Sequence, residues 1–362
     1  MEQQVIEELT RLVAMQSESG QEEAILAYLE SRLRSLGFPP VRQPVAAGRY
    51  NLIWTPTSPP SLLFTAHVDT VPLWEHTHLA QPRLDGGRLY GRGSVDIKAG
   101  IAAILLALET VRSEGISPRF AVAFTVDEEQ QGLGSRALPE MVQAGGAVVL
   151  EPTGLKICPA EAGSIEVRIT IRGKAVHGSV FERGHNPILQ AASLIESFKG
   201  LRFLQAEHPL IGAGGFNVMG IKGGGEALLV PERCELAVDF RLLPGQDVEE
   251  AKQELRQLLD QENITTEFID VSLPFELSTE EPVVQVLQRA YQKALGRPPL
   301  LGGMPSWTDA EYLLAGGIPS VVFGPGDLAV AHTAWEHVEI QSVVDTVKVL
   351  SQAMVEASLT PP

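Results

Sequence analysis

The chain has 362 residues, 44% of them hydrophobic and 20% charged, which suits roughly two globular domains of about 150 residues and excludes disordered, collagen-like and coiled-coil architectures. Twenty-eight Lys and Arg stand against forty-five Asp and Glu, a formal charge of −17, and no grouping of cations exceeds a few residues, so nucleic acid and an anionic membrane surface are excluded as partners. The acidic surplus is either solvated surface or, in part, carboxylates that hold cations, and only position can decide.

The opening run MEQQVIEELTRLVAMQ carries Glu where a secretory signal carries Lys or Arg, and its apolar spacing predicts an amphipathic helix over 2–16. A second helix is predicted over 21–36, ending at Gly37 before Pro39 and Pro40. Short apolar, β-rich runs follow over 51–54, 61–68, 120–126 and 147–150, with a helix over 98–113. Strands alternating with helices predict an α/β domain whose sheet is mainly parallel. The texture changes near Ala162: a strand over 164–171, a helix over 186–199, a glycine-rich patch (Gly214, Gly215, Gly223, Gly224, Gly225), a strand over 234–241 and a helix over 248–259 form an α+β unit. The α/β texture resumes near Ser278, with a helix over 282–295, a strand over 320–323 and a last helix over 340–357. The expected organisation is an α/β domain of residues 1–162 and 275–362 interrupted by an inserted α+β domain, 163–274. The longest apolar stretch, over 99–108, is far short of the roughly 20 residues that cross a bilayer. Cys158 and Cys234 have no metal-type spacing and suit a reducing compartment, one disulfide being the alternative. A cytoplasmic protein is expected.

Five motifs carry chemistry. SLLFTAHVDT ends a strand in His67-x-Asp69, where period-two geometry would let the Asp69 carboxylate accept the second ring N–H of a metal-ligating histidine; a capped strand end is the alternative. LYGRGSVDIKAG places Asp96 after Gly91-x-Gly93 and before a helix. A dinucleotide fingerprint is excluded there, because Asp96 stands where its third glycine should lie and would repel a pyrophosphate; a helix N-cap remains open. FTVDEEQQGLGS ends a strand in Asp127, Glu128 and Glu129, whose adjacent glutamates can serve a metal and a neighbouring cleft if the backbone turns, or form a solvated acidic turn. VVLEPTG supplies Glu151, held extended by Pro152, and FGPGDLAVAHTAWEHV supplies His332 after a glycine-rich loop. All five lie at or just past strand ends, where α/β sheets gather ligands. Two imidazoles and three carboxylates without a thiolate suit zinc, cobalt or manganese in a hydrolytic centre. The three charges of Asp96, Glu129 and Glu151 balance two dications bridged by hydroxide, which favours two metals. His76-x-His78 lacks a carboxylate partner and is read as loop; Trp307 and Trp335 are either an apolar wall or core. A Ser or Cys hydrolase is disfavoured, since no Gly-x-Ser-x-Gly elbow exists.

In this order and spacing, TAHVDTVP, LYGRGSVDIKAG, TVDEEQQGLGS, LEPTG, GKAVHGS, FGPG and AHTAWEHV resemble the M20 family of dinuclear metallopeptidases and amidohydrolases over nearly the whole chain. The resemblance implies that His67, Asp96 and Glu151 hold one metal and Asp96, Glu129 and His332 the other, zinc first and cobalt or manganese as alternatives. It makes Glu128 the general base on a metal-bridging water and Asp69 an orienting residue. It makes the inserted domain a lid and dimerisation domain of a homodimer. There His177 would reach across the interface to the oxyanion, Arg241 would pair with the substrate carboxylate, and Asn217 would add a polar contact. Leu228 stands where family members commonly carry Asn, which removes a hydrogen-bonding group and counts against a polar, diacidic substrate. The implied activity is removal of the acyl group from an N-acyl amino acid, as in the acetylornithine deacetylase and succinyl-diaminopimelate desuccinylase branch. The alternatives are a carboxypeptidase or dipeptidase releasing a C-terminal amino acid and, less favoured, a silent small-molecule binder.

Overall fold

The structure, a computed structural model, describes residues 1–225 and 228–359. Two compact units are present: Met1–Pro159 with Leu277–Gly303 and the chain from Thr308, and Ala160–Glu276 with Met304–Trp307. The sequence boundaries at 162/163 and 274/275 did not anticipate the return of Met304–Trp307 to the second unit.

In the first unit the strands Arg49–Trp54, Phe120–Thr125, Leu62–His67, Ala147–Val149 and Ser320–Val322 lie side by side in that order. The last four are mutually parallel, and Arg49–Trp54 joins them antiparallel, with Val41–Ala46 beyond it. Every residue of these four parallel strands is buried, which is why they are written as continuous apolar runs rather than alternating ones. Register places His67 opposite Thr125 and Thr65 opposite Val149, so the carboxyl ends of neighbouring strands reach the same edge of the sheet. The helix Ala99–Ser113 is buried along most of its length and packs against Glu2–Ala14 and Ile340–Leu359. Gly100 permits its approach to the sheet side: a Cβ there would lie 2.9 Å from Leu150 Cβ.

The second unit is a β-α-β-β-α-β motif. Its four-stranded antiparallel sheet runs Gly215–Gly223, Arg233–Leu242, Gly163–Arg172, Ile264–Ser272. The apolar side chains Val238, Phe240, Val167 and Ile169 pack with Phe198 of the Pro187–Phe198 helix and Leu255 of the Val248–Leu259 helix. Two strands here differ from the sequence expectation. The glycine-rich patch is largely the edge strand Gly215–Gly223, whose glycines leave little side-chain pattern and whose register shifts between Val218 and Gly220. Ile264–Ser272, at the other edge, packs Ile264, Phe268 and Val271 against the core, but its sequence alternates threonines and charged residues with few apolar ones. Cys158 and Cys234 are free and buried, so the disulfide alternative does not hold. No helix among the described residues is long and apolar enough to cross a membrane.

Candidate metal centre

The sheet edge brings His67, Asp96, Glu128, Glu129, Glu151 and His332 together within the first unit. His67 ends the Leu62–His67 strand. Its Nε2 lies 3.1 Å from Asp96 Oδ1 and 3.6 Å from Glu151 Oε1, and its Nδ1 lies 3.0 Å from the backbone carbonyl of Asp69. A carbonyl only accepts, so a neutral His67 keeps its proton on Nδ1 and turns the Nε2 lone pair towards the carboxylates, the state a metal ligand needs. Asp96 is not a helix cap. It sits at φ −120°, ψ 89°, before the helix that starts at Ala99, with its second oxygen, Oδ2, 3.4 Å from His332 Nε2. Glu129 Oε1 is 3.2 Å from the same nitrogen. Two triads result, His67–Asp96–Glu151 and Asp96–Glu129–His332, and within each the donor atoms lie within 4.8 Å of one another.

Asp69 faces His67 and also holds the neighbouring loop. Its carboxylate lies 3.7 Å from His67 Nδ1, and His67 helps to hold it below the usual carboxylate range against the effect of burial; Oδ1 also accepts the Glu128 N–H at 3.1 Å and Oδ2 the Glu129 N–H at 3.2 Å. Ser19 Oγ donates to Oδ2 at 2.7 Å. Asp127 makes the turn that separates the two glutamates. It holds φ 73°, its carbonyl accepts the Gly132 N–H at 2.7 Å, and its carboxylate pairs with Arg49, which also binds Glu22.

Burial pushes the Glu128 and Glu151 carboxyls well above their usual range; His67 opposes this, while neighbouring carboxylates add to it. Burial also works against the charge of Asp96, yet hydrogen bonds from His332 and His67 and their positive charge hold it below the usual carboxylate range. Desolvation disfavours the His332 cation, but Asp96 and Glu129 prevail and push its pKa up to about 10. Glu151 Oε1 is buried without a hydrogen-bond partner among the described residues. Crowded carboxylates of this kind call for cations, and imidazole nitrogens with carboxylate oxygens and no thiolate fit divalent zinc, cobalt or manganese.

Asp309 escaped the sequence reading. It is 1% exposed, accepts from Thr125 Oγ1 at 2.7 Å through Oδ2, and repels Glu128 and Glu151. An Asp before a helix reads as an N-cap, but this side chain does not cap the Ala310–Ala315 helix; its buried partner lies far away in sequence. His78 Nε2 donates to the Ala334 carbonyl at 2.8 Å, which ties down the loop that carries His332. Trp335 is 61% exposed and Trp307 is partly exposed, so neither is a core side chain.

The remaining sequence candidates lie in the second unit. Arg241 and Asn217 line one cavity of about 300 Å³ together with Asp239, Phe216, Ala162 and Pro305. Arg241 Nη2 is 2.7 Å from Asp239 Oδ2, and Asn217 is exposed on the adjacent strand, opposite Asp239. His177 is exposed and does not line that cavity. Its Nδ1 accepts the Ser179 N–H at 3.2 Å. A backbone N–H can only donate, so neutral His177 carries its proton on Nε2 and is a donor there. Leu228 is 85% exposed.

Residues 63–356 match the sequence model of peptidase family M20/M25/M40. The chain is 27% identical over 358 residues to a succinyl-diaminopimelate desuccinylase of Alkalilimnicola ehrlichii, covering 92% of this chain and 94% of that protein. It is 29% identical over 351 residues to an acetylornithine deacetylase of Photorhabdus laumondii, covering 91% and 89%. A tripeptidase structure from Staphylococcus aureus shares the fold, with a TM-score of 0.82, 23% identity and 99% of each chain covered.

Proposed function

The chain is a member of peptidase family M20/M25/M40, a family of metal-dependent hydrolases, and we propose that it removes the acyl group from an N-acyl amino acid by hydrolysis of the amide bond, with two zinc ions held in the paired triads. The observation that carries this reading is Asp96: one oxygen meets His67 and the other meets His332, so a single carboxylate joins two ligand sets that Glu151 and Glu129 complete. Divalent ions bound there supply Lewis acidity towards an amide carbonyl and towards water.

The residues supply positioning and proton transfer. Glu128, with Oε2 at 3.9 Å from His67 Nε2, takes a proton from the attacking water and passes it to the departing nitrogen. Asp69 fixes the Glu128–Glu129 backbone through both of its oxygens. His177, a donor at Nε2, stabilises the oxyanion as His177 of the partner subunit in a homodimer. Arg241 receives the substrate carboxylate: its guanidinium has five N–H donors, and Asp239 engages one side of it. Asn217, on the same cavity, adds a polar contact. The desuccinylase and deacetylase relatives, at 27% and 29% identity, favour an acyl amino acid over a peptide.

A panel of N-acetyl amino acids, N-succinyl amino acids and dipeptides, assayed with zinc or cobalt, tests the reading. Release of acetate or succinate is the expected result. Turnover confined to dipeptides would replace deacylation with peptidase activity, and elemental analysis finding no bound metal after supplementation would remove the centre itself.

A further inference from the structure

The two triads are supported differently. His67 ends a strand of the central sheet, and Glu151 lies two residues past the Ala147–Val149 strand, after Leu150, whose N–H still bonds the Thr65 carbonyl of the neighbouring strand. His332 stands on an irregular loop, at φ 62° and with a side chain 45% exposed. Its loop is anchored by a short antiparallel ladder in which His337–Glu339 pairs with Arg88–Tyr90. The Gly91 N–H extends that ladder by donating to the Glu336 carbonyl at 3.2 Å. Arg92 Nη1 then donates to Glu336 Oε2 at 2.5 Å. Beyond this pair the two chains part, one running on to Asp96 and the other back to His332.

Arg92 and Glu336 are 5% and 0% exposed. Arg92 is further confined by its N–H bond to the Leu79 carbonyl at 2.9 Å and by the Trp74 ring, 5.3 Å from its Cζ. Arg92 Nε and Nη2 and Glu336 Oε1 have no hydrogen-bond partner among the described residues, so the pair is buried at a real desolvation cost. An apolar contact would hold the two loops together without that cost but also without direction, whereas a charged hydrogen bond fixes distance and angle.

We propose that Arg92 and Glu336 are positioning residues that set the loop bearing His332, and so the Asp96–Glu129–His332 triad through its loop-borne ligand, while the shared Asp96 and the sheet-borne His67 and Glu151 keep the other triad in place. The inference rests on the two-metal reading above. Its test is titration of the metal-free, full-length chain with cobalt(II), followed by calorimetry and cobalt absorbance. The wild-type chain should take up two equivalents. Glu336→Gln, which keeps the shape and one acceptor oxygen, and Arg92→Lys, which keeps the charge, should each bind one equivalent with wild-type affinity and the other about 10- to 100-fold more weakly. Arg88→Ala removes the exposed Arg88–Glu339 pair of the same ladder and should leave both equivalents unchanged. Glu336→Gln is the deciding variant, since it is nearly isosteric. Two equivalents at wild-type affinity in a cooperatively melting Glu336→Gln chain, or parallel weakening of both, overturn the proposal. Fewer than two equivalents in the wild type would instead overturn the two-metal reading, a failure visible before any variant is made.

Discussion

Glu128 and Glu129 are neighbours in the chain, yet one lies by His67 and the other binds His332, because Asp127 turns the backbone at φ 73° and Asp69 accepts both following N–H groups. Glu128→Gln should leave two metal equivalents bound while turnover falls by about 10²- to 10⁴-fold, the usual contribution of a general base; metal analysis beside kcat separates the two effects. Asp69→Asn replaces one acceptor oxygen by an NH₂ facing a backbone N–H, so metal affinity and turnover should both fall, each by about 10- to 100-fold. His332 gives the pH dependence. Its pKa in the metal-free chain is raised from 6.5 to about 10 by Asp96 and Glu129 against the opposing effect of burial, so at neutral pH it must lose a proton before it ligates. Metal binding should release protons, measurable by calorimetry in buffers of different protonation enthalpy, and apparent affinity should rise with pH. A raised histidine contributes stability that is complete below the unfolded pKa and lost as pH rises through the folded one. Melting with a chelator present should therefore show the metal-free chain weakening between about pH 6.5 and about pH 10.

At the scale of elements, the turn after Phe120–Thr125 depends on close packing behind it. A Cβ on Gly134 would lie 2.5 Å from the Val126 carbonyl oxygen and 2.6 Å from Asn51 Oδ1, and the backbone atoms there cannot swing aside. Gly134→Ala should cost about 1–3 kcal/mol in denaturant unfolding and should weaken metal binding by displacing the Asp127–Gly132 turn. The parallel strands and the Ala99–Ser113 helix were legible in the sequence because burial on every side requires continuous apolar runs. Gly215–Gly223 and Ile264–Ser272 were not, since an edge strand is held by backbone hydrogen bonds to one neighbour and needs no strong apolar pattern.

For the whole molecule, the net charge of −17 said little about function, because the carboxylates of the centre are few among forty-five and are distinguished only by burial and convergence. The proposed homodimer makes one further prediction: mixing inactive Glu128→Ala and His177→Ala subunits should restore partial activity, because a mixed dimer contains one site with both residues intact. Absence of rescue under exchange conditions would place His177 within its own subunit. The residue types of the centre, and their places at strand ends, were determined by sequence alone, since a parallel sheet presents its carboxyl ends on one edge and a metal restricts its ligands to a few side chains. The tertiary structure decided what local spacing cannot encode. It tied Asp69 to the Glu128–Glu129 backbone, set Asp309 behind the cluster, and closed the Arg92–Glu336 pair. Each of these is a buried polar contact between segments remote in sequence, and such contacts are selected by the need to satisfy hydrogen bonds and charge in the folded interior.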